Sequence, residues 1–278
     1  MANPLTRRIR VNRKRLKTFC KNRRVCWGTV LVEYAVPHAV RTFARAGYEW
    51  LWLDLEHNPI GLDTVLELAR TARDVNIATI VRVPETEYTW IARTLDTGVD
   101  GIMMPRVETP EQMRQIIKCA KYPSVGKRGF GMRPVAFGRQ SMSIRERVAD
   151  QNDTRVLCIQ LESPRAVDNA EAIIDAAEGY LDAVFMGPTD FQLALGEPDQ
   201  TETPELDAAA RSIAAICAQR NIANGVPVAT LTGARWWLER GFTLLTFACD
   251  DMFLANTARE ARSALSDLER DVSRPNEG

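Results

Sequence analysis

Short apolar runs rich in β-branched and aromatic residues alternate along the chain with longer stretches in which apolar residues recur every three or four positions. The runs are 26–32, 49–54, 78–83, 101–104, 155–162, 182–186, 222–228 and 243–247. Between them the 3.6-residue period is carried by sets such as Leu62, Val65, Leu66, Leu68 and Ala69, or Ala209, Ile213, Ile216 and Cys217. Eight strand–helix repeats in about 250 residues predict an α/β chain folded as a (β/α)8 TIM barrel. A doubly wound open sheet is the runner-up, but its first strand would lead into a glycine-rich phosphate loop. Here that strand leads into Glu33-Tyr34-Ala35-Val36-Pro37.

Composition adds little beyond exclusions. A chain of 278 residues with 45% hydrophobic and 26% charged residues is one large globular domain rather than a disordered segment. No apolar stretch is long enough for a membrane helix, and the first residues lack the apolar centre of a secretory signal. The six cysteines show no CxxC spacing and sit mostly in apolar runs, so reduced thiols in a cytoplasmic protein are expected.

Charge does change the picture. Ten of the 36 basic residues lie within 1–24, which holds no acid, leaving 26 basic against 36 acidic residues in the remainder. The chain therefore divides into a basic N-terminal arm (1–24), a barrel (25–270) and a frayed tail (271–278). A basic arm can bind nucleic acid or address a mitochondrion. Without interleaved aromatics it reads instead as a solvated helix lying on the acidic body. The connection of over thirty residues between the helix ending near Lys121 and the strand near Arg155 carries Gly126-Lys127-Arg128-Gly129-Phe130-Gly131, which suggests a lid or ligand-facing segment.

In a barrel, polar groups at the carboxyl ends of the strands converge on one mouth. The second strand ends in Asp54-Leu55-Glu56-His57, the third carries Arg82, the fifth ends in Gln160-Leu161-Glu162, and the sixth runs into Gly187-Pro188-Thr189-Asp190. Alternation turns Leu157, Ile159 and Leu161 toward the helices and Cys158, Gln160 and Glu162 inward. An inward glutamate needs a cation or an arginine partner. With Asp190 beside it, Glu162 suits Mg²⁺ or Mn²⁺, which favour oxygen ligands. His57 is either a hydrogen-bonded structural residue or an acid/base. Arg82 either meets an anionic substrate or pairs with Asp54 or Glu56.

At these residues the chain resembles the metal-dependent class II pyruvate aldolases, typified by 4-hydroxy-2-oxoheptanedioate and 2-dehydro-3-deoxyglucarate aldolases. The matching blocks run from Ala46-Gly47-Tyr48-Glu49-Trp50-Leu51-Trp52-Leu53-Asp54-Leu55-Glu56-His57 through Val81-Arg82, Leu95-Asp96-Thr97-Gly98 and Pro105-Arg106-Val107. They continue through Gly126-Lys127-Arg128-Gly129 and Gln160-Leu161-Glu162 to Gly187-Pro188-Thr189-Asp190. The resemblance implies a phosphoenolpyruvate/pyruvate-type barrel with a divalent metal (Mg²⁺, Mn²⁺ or Co²⁺) on Glu162 and Asp190. Gln160, Gly187, Thr189 and Asp190 would bind the 2-oxo acid. His57 would be the acid/base, with Asp96 raising its basicity, and Arg82 would stabilise the enolate. It also implies cleavage of a 4-hydroxy-2-oxo acid to pyruvate and an aldehyde by a cytoplasmic homo-oligomer, a hexamer or trimer whose last helix packs on a neighbour. The segments Glu33-Tyr34-Ala35 and Thr246-Phe247-Ala248-Cys249-Asp250 depart from the family pattern and leave the aldehyde open.

Competing readings keep the same core for oxaloacetate decarboxylation, a macrophomate-synthase-like reaction or acyl-CoA lysis. A non-catalytic barrel that binds nucleic acid through the arm would have lost one of the two carboxylates, and both are present.

Overall fold

The computed structural model describes residues 15–131, 142–200 and 202–273. Eight parallel strands close into a barrel in sequence order. They are β1 (Cys26–Leu31), β2 (Trp50–Asp54), β3 (Ala78–Arg82), β4 (Gly101–Met104), β5 (Val156–Leu161), β6 (Ala183–Met186), β7 (Ala223–Val228) and β8 (Leu244–Cys249). Each begins and ends within two residues of an apolar run, because β-branched and aromatic residues in short runs fit the pleated, doubly covered wall of a parallel barrel.

Around this wall lie α2 (Pro37–Ala46), α3 (Leu62–Val75), α4 (Tyr88–Asp96), α5 (Pro110–Ala120), α6 (Ile144–Thr154), α7 (Pro164–Asp168), α8 (Ala170–Asp175), α9 (Pro188–Ala194), α10 (Pro204–Gln219), α11 (Leu231–Glu239) and α12 (Asp250–Ser273). Their starts follow local chemistry. Thr109 with Gln112 and Ser143 with Glu146 form reciprocal capping boxes at α5 and α6.

Two apolar layers result. Outward side chains such as Leu157, Ile159 and Leu161 pack under the helices, whereas Trp50, Trp52, Ile80, Met103, Cys158 and Phe185 fill the interior. Trp50 and Trp52 both meet Phe185 edge-on at 5.8 Å. Gly28 makes this filling possible: a Cβ there would lie 2.4 Å from the Trp50 indole. Cys20, Cys26, Cys119, Cys158 and Cys217 are buried free thiols, and burial raises their pKa values.

The described part of the basic segment is not a solvated helix. A short helix, α1 (Arg15–Lys21), seats Leu16 (1% exposed) and Cys20 (2%) in the interior layer, with Phe19 beside them. This closes the end of the barrel opposite the mouth. Lys17 reaches Asp182 at 3.2 Å, Arg24 reaches Glu49 at 2.8 Å, and Arg23 donates to the Ile222 carbonyl and to Asn224 and Gly241. Apolar spacing inside a highly charged run carried that signal. Arg7, Arg8, Arg10, Arg13 and Lys14 lie outside the described residues, as do residues 274–278 of the expected tail.

The long connection before β5 is also better defined than its glycines suggest. Its first part folds back on α5, with Lys127 and Arg128 bonding the Lys118 and Lys121 carbonyls, and its last part is α6. The 126–131 part expected as a lid is packed down, with Arg128 on Asp96 and the Gly129 N–H on the Tyr88 hydroxyl; residues 132–141 of the connection lie outside the described residues. Among the described residues, no helix is long and apolar enough to cross a membrane.

Candidate active site

At the mouth, a cleft of about 350 Å³ is lined by Glu56, His57, Arg82, Arg106, Glu162 and Asp190, among others. Each comes from the carboxyl end of a strand, the loop after it or, for Asp190, the first turn of the helix that follows. Asp54 and Arg82 are adjacent in register on β2 and β3. The Arg82 guanidinium meets the Asp54 carboxylate through two bonds, Nε to Oδ1 at 2.8 Å and Nη2 to Oδ2 at 2.7 Å. Its Nη1 approaches Glu56 at 3.2 Å and Gln160 Oε1 at 3.4 Å, and its carbon lies 4.9 Å from the Trp52 ring centre. Burial opposes the charge of Arg82, but the bonds to Asp54 and the charges of Asp54, Glu56 and Glu162 outweigh it and raise its pKa.

Glu162 is 6% exposed. Both its oxygens are held: Oε1 accepts from the Arg106 backbone N–H at 2.8 Å and Oε2 from Gln160 Nε2 at 2.9 Å. Burial pushes its pKa up to about 7; the Arg106 N–H opposes this, and the negative charges of Asp190 and Glu56 add to it. Gly187 is required beside it, since a Cβ there would fall 2.5 Å from Glu162 Oε2. Asp190 and Thr189 are exposed in the first turn of α9, which starts at Pro188. Glu162 and Asp190 are thus repelling carboxylates in one cleft, an all-oxygen donor pair that fits a hard divalent cation and leaves positions for substrate and water.

His57 is exposed, with Nε2 3.8 Å from Glu56 Oε2. Asp96 is elsewhere. It ends α4, which runs back from the mouth for about 13 Å at the usual helical rise, and its carboxylate takes Arg128 Nη2 at 2.6 Å. Within one chain the carboxylate beside His57 is therefore Glu56, whereas Asp96 is paired with Arg128. Asp54 and Glu56, named from sequence as alternative partners of Arg82, both pair with it; Arg106 was given no role from sequence. Arg106 owes its place to a left-handed backbone (φ 51) that no motif announces.

A family model described as HpcH/HpaI aldolase/citrate lyase matches residues 29–257. The chain belongs to this family. The hydroxypyruvate/pyruvate aldolase of Cupriavidus necator is 34% identical over 245 residues, covering 86% of this chain and 87% of that protein. The 5-keto-4-deoxy-D-glucarate aldolase of Klebsiella pneumoniae is 34% identical over 227 residues, covering 81% and 85%. An HpcH/HpaI aldolase from Desulfitobacterium hafniense superposes with a TM-score of 0.85 at 26% identity, over 95% of this chain and 98% of that one. The macrophomate synthase structure, 19% identical with a TM-score of 0.73, shares the fold. As a member of the HpcH/HpaI family, the chain is an aldolase-type enzyme, and the nucleic-acid-binding alternative is not favoured.

Proposed function

We propose that this enzyme reversibly cleaves a 4-hydroxy-2-oxo acid to pyruvate and an aldehyde, with a divalent cation (Mg²⁺, Mn²⁺ or Co²⁺) held by Glu162 and Asp190. The observation that carries this reading is the meeting of two repelling carboxylates with Arg82 and His57 in one cleft. Names of its relatives, a hydroxypyruvate/pyruvate aldolase and a 5-keto-4-deoxy-D-glucarate aldolase, support the substrate class. When bound, the cation supplies Lewis-acid polarisation of the 2-oxo group.

The chain's own residues do the rest. Gln160, Gly187, Thr189 and Asp190 seat the 2-oxo acid. The exposed imidazole of His57 takes the proton of the 4-hydroxyl, the bond between carbons 3 and 4 breaks, and its electron pair moves toward the 2-oxo oxygen. Arg82, fixed by Asp54, places its charge where that negative charge develops. Protonation of carbon 3 then gives pyruvate.

A carboxylate placed away from its own His57 can raise an imidazole's basicity only in another copy, so we assign that role of Asp96 to a homo-oligomer, a trimer or hexamer. The stripe of exposed Leu254, Leu265, Leu268 and Val272 on α12 supports assembly. A cytoplasmic location accords with the buried free thiols.

Pyruvate release from a panel of 4-hydroxy-2-oxo acids, measured with and without EDTA and with each cation restored, tests the reading. Turnover abolished by EDTA and recovered with a cation is expected. No pyruvate from any member, or turnover indifferent to EDTA, would overturn it.

A further inference from the structure

Arg106 stands out at the rim of the cleft. Two residues beyond β4, its left-handed backbone aims the N–H at Glu162 and leaves the guanidinium over the mouth, 65% exposed. Nη2 lies 3.2 Å from Glu56 Oε1 and donates to the Pro84 carbonyl at 3.3 Å. Nε and Nη1 have no partner among the described residues.

The other charges lining the cleft are committed. Arg82 is spent on Asp54, Glu56 and Gln160. Glu108 accepts from Ser163 at 2.6 Å and meets Arg165 at 3.4 Å. The pair Glu162 and Asp190 is assigned above to the cation. Arg106 is then the cation at the rim with donors to spare, on the open side where the half of the substrate that leaves as aldehyde must extend.

We infer that Arg106 is a specificity-determining residue, selecting aldehydes that carry an anion, a carboxylate above all, at the end remote from the carbonyl. The planar fork of a guanidinium matches a carboxylate through two parallel N–H bonds, which an ammonium cannot do. The inference rests on the aldolase reading, since it concerns the aldehyde released or condensed at that site.

The test is condensation of pyruvate with 5-oxopentanoate and with pentanal, of equal chain length, in the cation-loaded enzyme and in Arg106→Gln and Arg106→Lys. D-Glyceraldehyde 3-phosphate and glyceraldehyde form a second pair that separates carboxylate from phosphate. Wild type should favour 5-oxopentanoate over pentanal in kcat/KM. Arg106→Gln should shrink that preference by about 10-fold or more, the scale of one hydrogen bond to a charged group, mostly through KM, with partial recovery in Arg106→Lys. A larger collapse within the phosphate pair would make phosphate the anion read and overturn the carboxylate assignment. An unchanged preference in an active variant overturns the proposal while leaving the aldolase reading standing. So would equal loss on all aldehydes together with weaker Mn²⁺ binding by calorimetry, because Arg106 would then act through Glu162. Absence of all turnover in wild type would remove the aldolase reading, and this inference with it.

Discussion

Asp54 grips Arg82 with both carboxylate oxygens, from the neighbouring position in register on the adjacent strand. Strands about 4.8 Å apart place two inward side chains side by side, so the fork is aligned before any substrate arrives. Asp54→Asn keeps the shape and removes the charge. It should lower kcat about 10- to 100-fold, as for other groups that orient a reacting residue, with a smaller change in KM. Steady-state kinetics separate the two. A rise in KM alone would make Arg82 an anchor for the substrate carboxylate.

Removing either proposed metal ligand should abolish cation binding without unfolding the barrel. Glu162→Ala and Asp190→Ala are expected to weaken Mn²⁺ binding by at least ~100-fold in calorimetry, since a site with two protein anions cannot spare one. Circular dichroism should remain that of the parent. EDTA-sensitive turnover in either variant would exclude that residue as a ligand.

The seal at the far end of the barrel bears on stability. Leu16 is 1% exposed inside the interior layer, so Leu16→Ala should cost about 2–5 kcal/mol in denaturant unfolding. Deleting residues 1–24 should cost more, because Lys17, Arg23 and Arg24 also leave partners behind. A deletion variant as stable as the whole chain would show that the seal is ornamental.

Lys121 provides a pH signature away from the site. Its amine is buried, donates to the Asn152 carbonyl at 2.8 Å and lies 5.7 Å from the Tyr180 ring centre. Burial lowers its pKa from 10.5 to about 8; Lys17 and Arg128 push the same way, and Asp182 and Asp153 oppose it. Between these values the unfolded chain holds a proton that the folded chain has released, so stability rises with pH through that window. Relative to Lys121→Met, wild type should gain roughly 2–3 kcal/mol between pH 8 and pH 10, at 1.36 kcal/mol per unit. Comparing the two proteins cancels the thiols, whose raised pKa values act oppositely. A constant difference across that range would refute the shift.

Regular structure was legible wherever physical chemistry is periodic. The alternation in Leu157–Glu162 turned Gln160 and Glu162 inward, and both are buried there. Arg106 was hidden because a left-handed residue other than glycine leaves no pattern in the sequence. Asp96 was placed by its block in a family resemblance, which cannot say at which end of a helix a carboxylate lies. Leu16 and Cys20 were masked by ten positive charges that say nothing about the face between them.

Arg23 binds groups 199 and 218 residues further along the chain, and this reverses the order of synthesis. Residues made before the barrel cannot take their seats until its last two strands have arrived. Until then Leu16 and Phe19 remain wet. Docking of α1 therefore waits on β7 and β8, and a chain that lacks those strands keeps the apolar face of α1 without its seat.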